Sequence, residues 1–222
     1  MQQNDSENAG EPTLEIEVIA VSPFSQNCSI LKDSSTGDAV VVDPGDDLDD
    51  VIALAAKMKA KIVAIVATHG HVDHVGRAGE LRARLNVPIW GPQKEDAFWI
   101  QQLPMQGRMF GLGEFETFEP DRWCEDGDTI CFGNITLEVA HCPGHTPGDI
   151  VLIHRPSKFV VSNDVLFAGS IGRTDFPRGD YNTLIRSIRT KLLTLPDDFT
   201  VLPGHGPFTT IGEERASNPF LQ

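Results

Sequence analysis

The chain has 222 residues, and its 18 Lys plus Arg against 32 Asp plus Glu give a formal net charge of −14 with the histidines neutral. With 40% apolar and 23% charged residues it can bury a sizeable core, which excludes collagenous, low-complexity and disordered classes. An acidic chain lacks the clustered Lys and Arg that displace counterions from phosphate backbones, so no nucleic-acid partner is expected.

Residues 1–12 are polar and acidic, a flexible tail without the basic start and apolar run of a signal peptide. Strand character follows at 14–21, 28–32 and 39–42, the last two separated by a Ser/Gly turn cluster over 33–38. Asp43-Pro44-Gly45-Asp46 stops the third strand, and Leu48, Val51, Ile52, Ala55 and Met58 then recur at the steps of an amphipathic helix. A buried strand is predicted over 62–67, helical spacing returns at Val75, Ala78, Leu81 and Leu85, and 87–90 reads as a short strand closed by Gly91-Pro92. No stretch is long and apolar enough to span a bilayer, and no basic amphipathic helix suggests an anchor, so a cytoplasmic protein without a membrane partner is expected.

Residues 103–128 carry Pro104, Gly107, Gly111, Gly113 and Pro120 and read as an irregular segment with room for a short helix. Phe115, Phe118 and Trp123 within it either roof a pocket or pack the core. Strands resume at 129–132, 135–140, 150–154 and 159–162, Leu184, Ile185, Ile188, Leu192 and Leu195 mark another helix, and 200–202 is a last strand. Two runs of strands, each followed by helices, predict two sheets packed face to face with helices outside, in one domain over 13–222. Cys28, Cys124, Cys131 and Cys142 show no Cys-x-x-Cys spacing and read as reduced structural thiols.

Three of the seven histidines crowd into Thr68-His69-Gly70-His71-Val72-Asp73-His74, directly after a buried strand and before a helix. Imidazole and carboxylate are the ligands that zinc and similar divalent ions prefer, and a chain turning at a strand end can aim several of them at one place. Asp73 and His74 then face a second position, and two ions need further ligands, which His145, Asp164 and His205 offer at later strand ends. Beside these, His141 reads as structural, His154 as a surface residue, Cys142 as a small packing residue, and Asp43 as either a turn residue or a group orienting a ligand.

These residues resemble the metallo-β-lactamase-fold hydrolases, whose signature is His-x-His-x-Asp-His followed by separate His, Asp and His ligands. The resemblance runs from about Leu14 to the C-terminus and implies an α/β fold, an αββα sandwich of two packed mixed sheets with helices on both outer faces. It implies one ion on His69, His71 and His145, a second on Asp73, His74 and His205, and Asp164 bridging them. The ions implied are divalent, zinc first, with iron, manganese or a mixture as alternatives. The fold alone does not set the reaction. His71, where flavodiiron proteins carry Glu, argues against that branch, and a chain this short has no room for the additions of the nuclease branch.

The stretch Asn163-Asp164-Val165-Leu166-Phe167-Ala168-Gly169-Ser170-Ile171-Gly172-Arg173-Thr174-Asp175-Phe176-Pro177-Arg178-Gly179-Asp180 is similar to the compact type II glyoxalases, hydroxyacylglutathione hydrolases without a separate C-terminal helical domain. The ending Glu214-Arg215-Ala216-Ser217-Asn218-Pro219-Phe220 is similar too, whereas Asn163 departs from the glycine usual before the bridging aspartate. What this implies is hydrolysis of S-(2-hydroxyacyl)glutathione, S-lactoylglutathione to lactate and glutathione, by a metal-bridging hydroxide with Asp73 as the catalytic proton carrier. Arg173, Arg178, Arg215 and Asn218 are the substrate-binding candidates. The Arg173 and Arg178 guanidiniums serve equally as surface charges paired with Asp175 or Asp180. A persulfide dioxygenase with one Fe(II), a hydrolase of another small thioester or lactone, and a non-catalytic metal-stabilised binding protein are the alternatives. No subunit interface is predicted.

Overall fold

The computed structural model describes residues 13–222, so the acidic tail read over 1–12 lies outside the described residues. The first sheet is built from β1 (Leu14–Val21), β2 (Gln26–Asp33), β3 (Asp38–Val42), β4 (Lys61–Val66) and β5 (Ile89–Trp90), in that order. β1, β2 and β3 pair antiparallel; β3, β4 and β5 pair parallel across crossovers that carry α1 (Leu48–Lys57), α2 (Val72–Val75) and α3 (Ala78–Leu85). The second sheet uses β6 (Thr129–Phe132), β7 (Ile135–His141), β8 (Ile150–His154), β9 (Phe159–Asn163), β12 (Thr200–Pro203) and β13 (Thr209–Thr210). Its spatial order is β13-β12-β9-β8-β7-β6, with only the β12 and β9 pair parallel.

Strand alternation explains the layers. Val40, Val42, Ala64 and Val66 meet Ile150, Leu152, Phe159 and Val161 between the sheets, while their neighbours Val41 and Ile65 face α1 and α3 through Val51, Ala55 and Leu81. On the far side Val151, Ile153 and Val160 face Leu184, Ile188 and Ile211 of the remaining helices. Both sheets are therefore mixed and covered outside by helices, the predicted αββα order.

Several elements differ from their periodicity. The helix predicted through Val75 and Leu85 is two, because Arg77, at φ −108° and ψ 9°, leaves the helical region between them. The segment 103–128 opens with α5 (Leu103–Phe110), ended by Gly111 at φ 68°, and Phe115, Phe118 and Trp123 pack into the helix-side core. Ahead of it lies α4 (Ala97–Ile100), and a small hairpin of β10 (Leu166–Phe167) and β11 (Ser170–Ile171) follows β9, both too short for a period to register. α6 (Tyr181–Ser187) is capped by the Asp180 carboxylate accepting from Thr183 N–H at 2.7 Å and runs on as a π-helical stretch, Ile188–Leu192. α7 (Ile211–Ser217) closes the described chain. His154 is not a surface residue: β8 is buried on both faces, and the His154 imidazole stands 2.6 Å from Ser157 Oγ.

Among the described residues no helix is long and apolar enough to cross a membrane, and all four cysteines are unpaired.

Candidate metal centre

β3 and β4 are parallel, so Asp43 and the Thr68-His69-Gly70-His71 run leave the same edge of the first sheet. β7 and β9 are both antiparallel to β8, and β12 is parallel to β9, so His145, Asp164 and His205 leave one edge of the second sheet. The edges are tied together by Asn27, whose backbone N–H donates to the Gly204 carbonyl at 2.7 Å and whose side-chain amide donates to Pro203 and Gly206 carbonyls. Gly204 is required by crowding, since a Cβ there would stand 2.1 Å from Asp164 Oδ1 and 2.7 Å from His74 Cε1.

The residues predicted as ligands converge. His145 Nε2 faces His71 Nδ1 at 3.0 Å, and His69, His71 and His145 form one compact group. Asp73, His74 and His205 form another, with His205 Nε2 at 3.3 Å from Asp73 Oδ2. Asp164 stands between them, Oδ1 at 3.3 Å from His74 Nε2 and Oδ2 at 3.5 Å from His145 Nε2. A third group, Asp43 with His69 and His74, has a different character, because the Asp43 carboxylate already accepts from Thr68 N–H at 2.8 Å and from the Thr68 hydroxyl.

The other ring nitrogens show how the imidazoles are aimed. His145 Nδ1 lies 2.7 Å from the Arg173 carbonyl and His205 Nδ1 3.1 Å from the Phe24 carbonyl; a carbonyl only accepts, so each Nδ1 carries the hydrogen and Nε2 is left with a free lone pair. His74 Nδ1 donates in the same way to Asp43 Oδ2 at 2.9 Å, which makes Asp43 an orienting residue. The Nε2 atoms of His69, His71 and His74 and Oδ1 of Asp164 are buried with no hydrogen-bond partner. Buried polar atoms are almost always satisfied, so the orphaned Nε2 atoms of His69 and His74 and Oδ1 of Asp164, set among these donor groups, fit divalent ions held there.

The electrostatics divide the cluster. Burial, reinforced by neighbouring imidazoles, holds His69 and His71 well below the ordinary histidine value, in the neutral form that ligates a metal. Burial alone would raise Asp164, but His74, His145 and His205 outweigh it and hold the carboxyl far below its usual range. His74 is the converse: burial acts to lower it, while Asp164 and Asp73 raise it well above the histidine range. Burial drives the Cys142 thiol upward and leaves it a packing group beside Leu184 and Ile188.

Two residues that sequence reasoning passed over hold the ligand loops. Asp96 is fully buried; its Oδ2 accepts from Gly70 N–H at 2.7 Å and the Thr146 hydroxyl at 2.9 Å, and its Oδ1 accepts from Gly148 N–H at 2.6 Å. It thus staples the His69-Gly70-His71 run to the turn that carries His145. Gln106 of α5 accepts from Val72 N–H at 3.0 Å and donates to the Gly70 and Trp99 carbonyls. The only local signal for either is a polar side chain beside an apolar run.

The substrate-binding candidates separate. Arg173 lines the cavity above the ligands, its guanidinium paired with Asp175 at 2.7 Å and lying 4.0 Å over the Phe176 ring. Arg178 is not in that cavity and stacks 4.0 Å over Phe98 on an outer face. Arg215 is a tether, donating to the Leu193 and Leu195 carbonyls at 2.8 Å and pairing with Asp197. Asn218 is fully buried, donating to the Ser170 carbonyl and Glu214 and accepting from Phe220 N–H. The tail motif therefore closes the second sheet's outer layer and reaches no ligand. His141 is structural, its Nε2 2.8 Å from the Pro147 carbonyl.

The cavity encloses about 470 Å³ and reaches from His71, Asp73, His145, Asp164 and His205 to the surface. Trp99 and Phe176 stand edge-on to the His71 ring, with centroids at 4.6 and 5.3 Å, and dry that side of the site.

The Metallo-beta-lactamase superfamily matches residues 21–205 of this chain. Hydroxyacylglutathione hydrolase GloC of Haemophilus influenzae is 46% identical over 209 residues, 94% of this chain and 98% of that protein. Among solved structures, the BLEG-1 B3 metallo-beta-lactamase has a TM-score of 0.86 at 33% identity, over 94% of this chain and 100% of that one. TTHA1623 in a di-iron-bound form has a TM-score of 0.84 at 34% identity, over 92% of this chain and 100% of its own.

Proposed function

The chain belongs to the metallo-beta-lactamase superfamily and is a metal-dependent hydrolase, and from that premise we propose that it cleaves the thioester of S-(2-hydroxyacyl)glutathione. The reference reaction is S-lactoylglutathione plus water giving lactate and glutathione, in the cytoplasm. The observation that carries this reading is the Haemophilus influenzae hydroxyacylglutathione hydrolase, 46% identical across nearly the full length of both chains. In this proposal His69, His71 and His145 would hold one divalent ion, Asp73, His74 and His205 would hold a second, and Asp164 would serve both. Zinc is the first choice, with iron, manganese or a mixture as alternatives; the di-iron-bound form of TTHA1623 supports a pair. Bound there, the ions supply Lewis acidity and bring the pKa of water toward neutrality.

The protein's part follows from its side chains. The cavity wall contributes no Ser, Thr or Cys among the described residues, and its Asp73, Asp164, His71, His145 and His205 are the candidate metal ligands, so the new bond to the acyl carbon is assigned to water. Burial acts to raise Asp73, but the neighbouring His74 and His205 outweigh it and hold its carboxyl below the usual range, so the Asp73 carboxylate is ionised, and one of its oxygens takes the proton released by the attacking water. The same atom returns it to the departing sulfur. A thiolate leaves readily, so no separate strong acid is needed.

The test is the loss of thioester absorbance when S-D-lactoylglutathione meets protein loaded with zinc or with ferrous iron, with glutathione persulfide and oxygen uptake in parallel. Rapid thioester loss, abolished in Asp164→Ala, is expected. An untouched thioester, or oxygen uptake confined to the iron form, would overturn the proposal.

A further inference from the structure

The wall of the cavity does not match glutathione. Its upper part is made of Phe24, Trp99, Met105, Met109, Phe110 and Phe167. Phe24, in the turn between β1 and β2, meets Phe110 at the end of α5 edge to face at 5.6 Å, so the mouth is framed by two separate elements. Four of these side chains are open to solvent, Met109 at 67%, Met105 at 43%, Phe110 at 42% and Phe24 at 41%. Apolar groups clustered at the mouth of a cavity that ends on a chemical centre gain by being covered when the ligand arrives.

Above the ligand cluster the wall holds three polar side chains, of which Gln102 is an uncharged amide and the other two are largely committed. Gln106 is spent on Val72, Gly70 and Trp99. Arg173, the one guanidinium or ammonium among the described lining residues, gives its Nε and an Nη to Asp175. Glutathione carries two carboxylates and an ammonium, and none of them gains by entering such a wall. A thioester has two arms, so the arm that enters is the acyl group, and a lactoyl group, with one methyl, leaves most of about 470 Å³ unfilled.

We infer that this cavity selects thioesters by a bulky apolar 2-hydroxyacyl group, aromatic or medium-chain, seated against Met105, Met109, Phe110 and Phe24, with the glutathionyl arm left toward solvent. The inference rests on the thioesterase reading for the direction of the two arms, and it deepens that reading by naming the acyl class.

The experiment has a binding arm and a turnover arm, both on the metal-loaded full chain. S-Alkylglutathione thioethers from S-methyl to S-hexyl cannot be hydrolysed, and calorimetry reads their affinity directly. A fully buried methylene is worth roughly fourfold and a half-buried one roughly twofold, so affinity is expected to rise at least about 30-fold along the series. Met109→Gln, at an exposed position that the fold tolerates, is expected to cut that rise about threefold or more. In the turnover arm kcat/KM for S-mandeloylglutathione is expected to exceed that for S-lactoylglutathione about tenfold or more. A flat thioether series, a series unmoved by Met109→Gln, or a preference for the lactoyl substrate would each overturn the inference. A steep series with every thioester left intact would instead overturn the thioesterase reading.

Discussion

Replacing Asp96 by Asn keeps the size of the side chain and removes what it does. The carboxylate receives Gly70 N–H and the Thr146 hydroxyl on one oxygen and Gly148 N–H on the other. An amide oxygen can keep one of those positions, and the amide nitrogen must then face a backbone N–H. Hydrogen bonds to a charged acceptor are worth about 1.5–3 kcal/mol, and an unsatisfied buried donor costs about 1–3 kcal/mol. Burial works against this sum, since it raises the Asp96 carboxyl to about 7 despite the three donors, and part of the carboxylate's benefit is already offset. A net loss of about 2–3 kcal/mol remains, which for a chain of 222 residues is roughly 5–10 °C in Tm. Because the lost bonds join the His69-Gly70-His71 run to the His145 turn, zinc affinity is expected to fall about 10–100-fold, the usual cost of releasing the groups that orient ligands. Thermal melts of metal-free and zinc-loaded protein, with chelator competition for zinc, read both numbers. A Tm within about 2 °C of the parent with unchanged zinc affinity would refute the staple.

Asp33 gives a pH signature independent of the metal centre. Burial acts to raise it, but hydrogen bonds from Ser35, Asn134 and Thr36 outweigh that and lower its carboxyl to about 2. A depressed carboxyl stabilises above its unfolded value near 4 and loses that contribution as pH falls toward 2, so Asp33→Asn should be less stable by about 1–2 kcal/mol at pH 7. Urea unfolding of parent and variant should show that gap closing below about pH 3; a gap that persists there would refute it. Gly204→Ala places a methyl 2.1 Å from Asp164 Oδ1, so metal content by mass spectrometry and thioester turnover should both fall at least about tenfold, and an unchanged metal content would be contrary to that crowding. Asn163 sits at φ 44°, where glycine costs nothing and a β-branched residue is strained by about 1–2 kcal/mol. Denaturant midpoints should therefore be nearly equal for Asn163→Gly and clearly lower for Asn163→Val.

That last geometry accounts for a departure visible in the sequence. Glycine is expected before Asp164 because the chain turns there through the left-handed region, and asparagine is among the side chains that tolerate it best. The strands were legible for the same kind of local reason. Runs such as Val40-Val41-Val42 and Ile150-Val151-Leu152-Ile153 are buried on both faces and declare themselves by apolarity alone. That also explains the error at His154: in a strand buried on both sides no alternation marks an outward face. The candidate ligands were legible because four of them occupy one short segment and the rest follow strands that run in one direction. Asp96 was not, since its partners Gly70 and Gly148 lie 26 and 52 residues away and are backbone groups without a sequence signature. Arg215 and Asn218 were misplaced because a motif does not say which layer it closes.

Surface charge and cavity character divide the work of recognition. The net charge of −14 repels an anionic thioester only within the roughly 8 Å over which physiological salt leaves a field effective. Inside that range the mouth offers one guanidinium, Arg173, and Asp175 beside it cancels most of its attraction. Neither long-range steering nor a carboxylate clamp is then available to raise the encounter rate or to discriminate among acyl groups. Discrimination falls to the surface removed from water when the acyl arm is covered by Met105, Met109, Phe110 and Phe24, a contribution that salt does not weaken. A selectivity between acyl groups that stays constant as ionic strength rises, while the absolute rates shift together, is the kinetic form this division of labour takes.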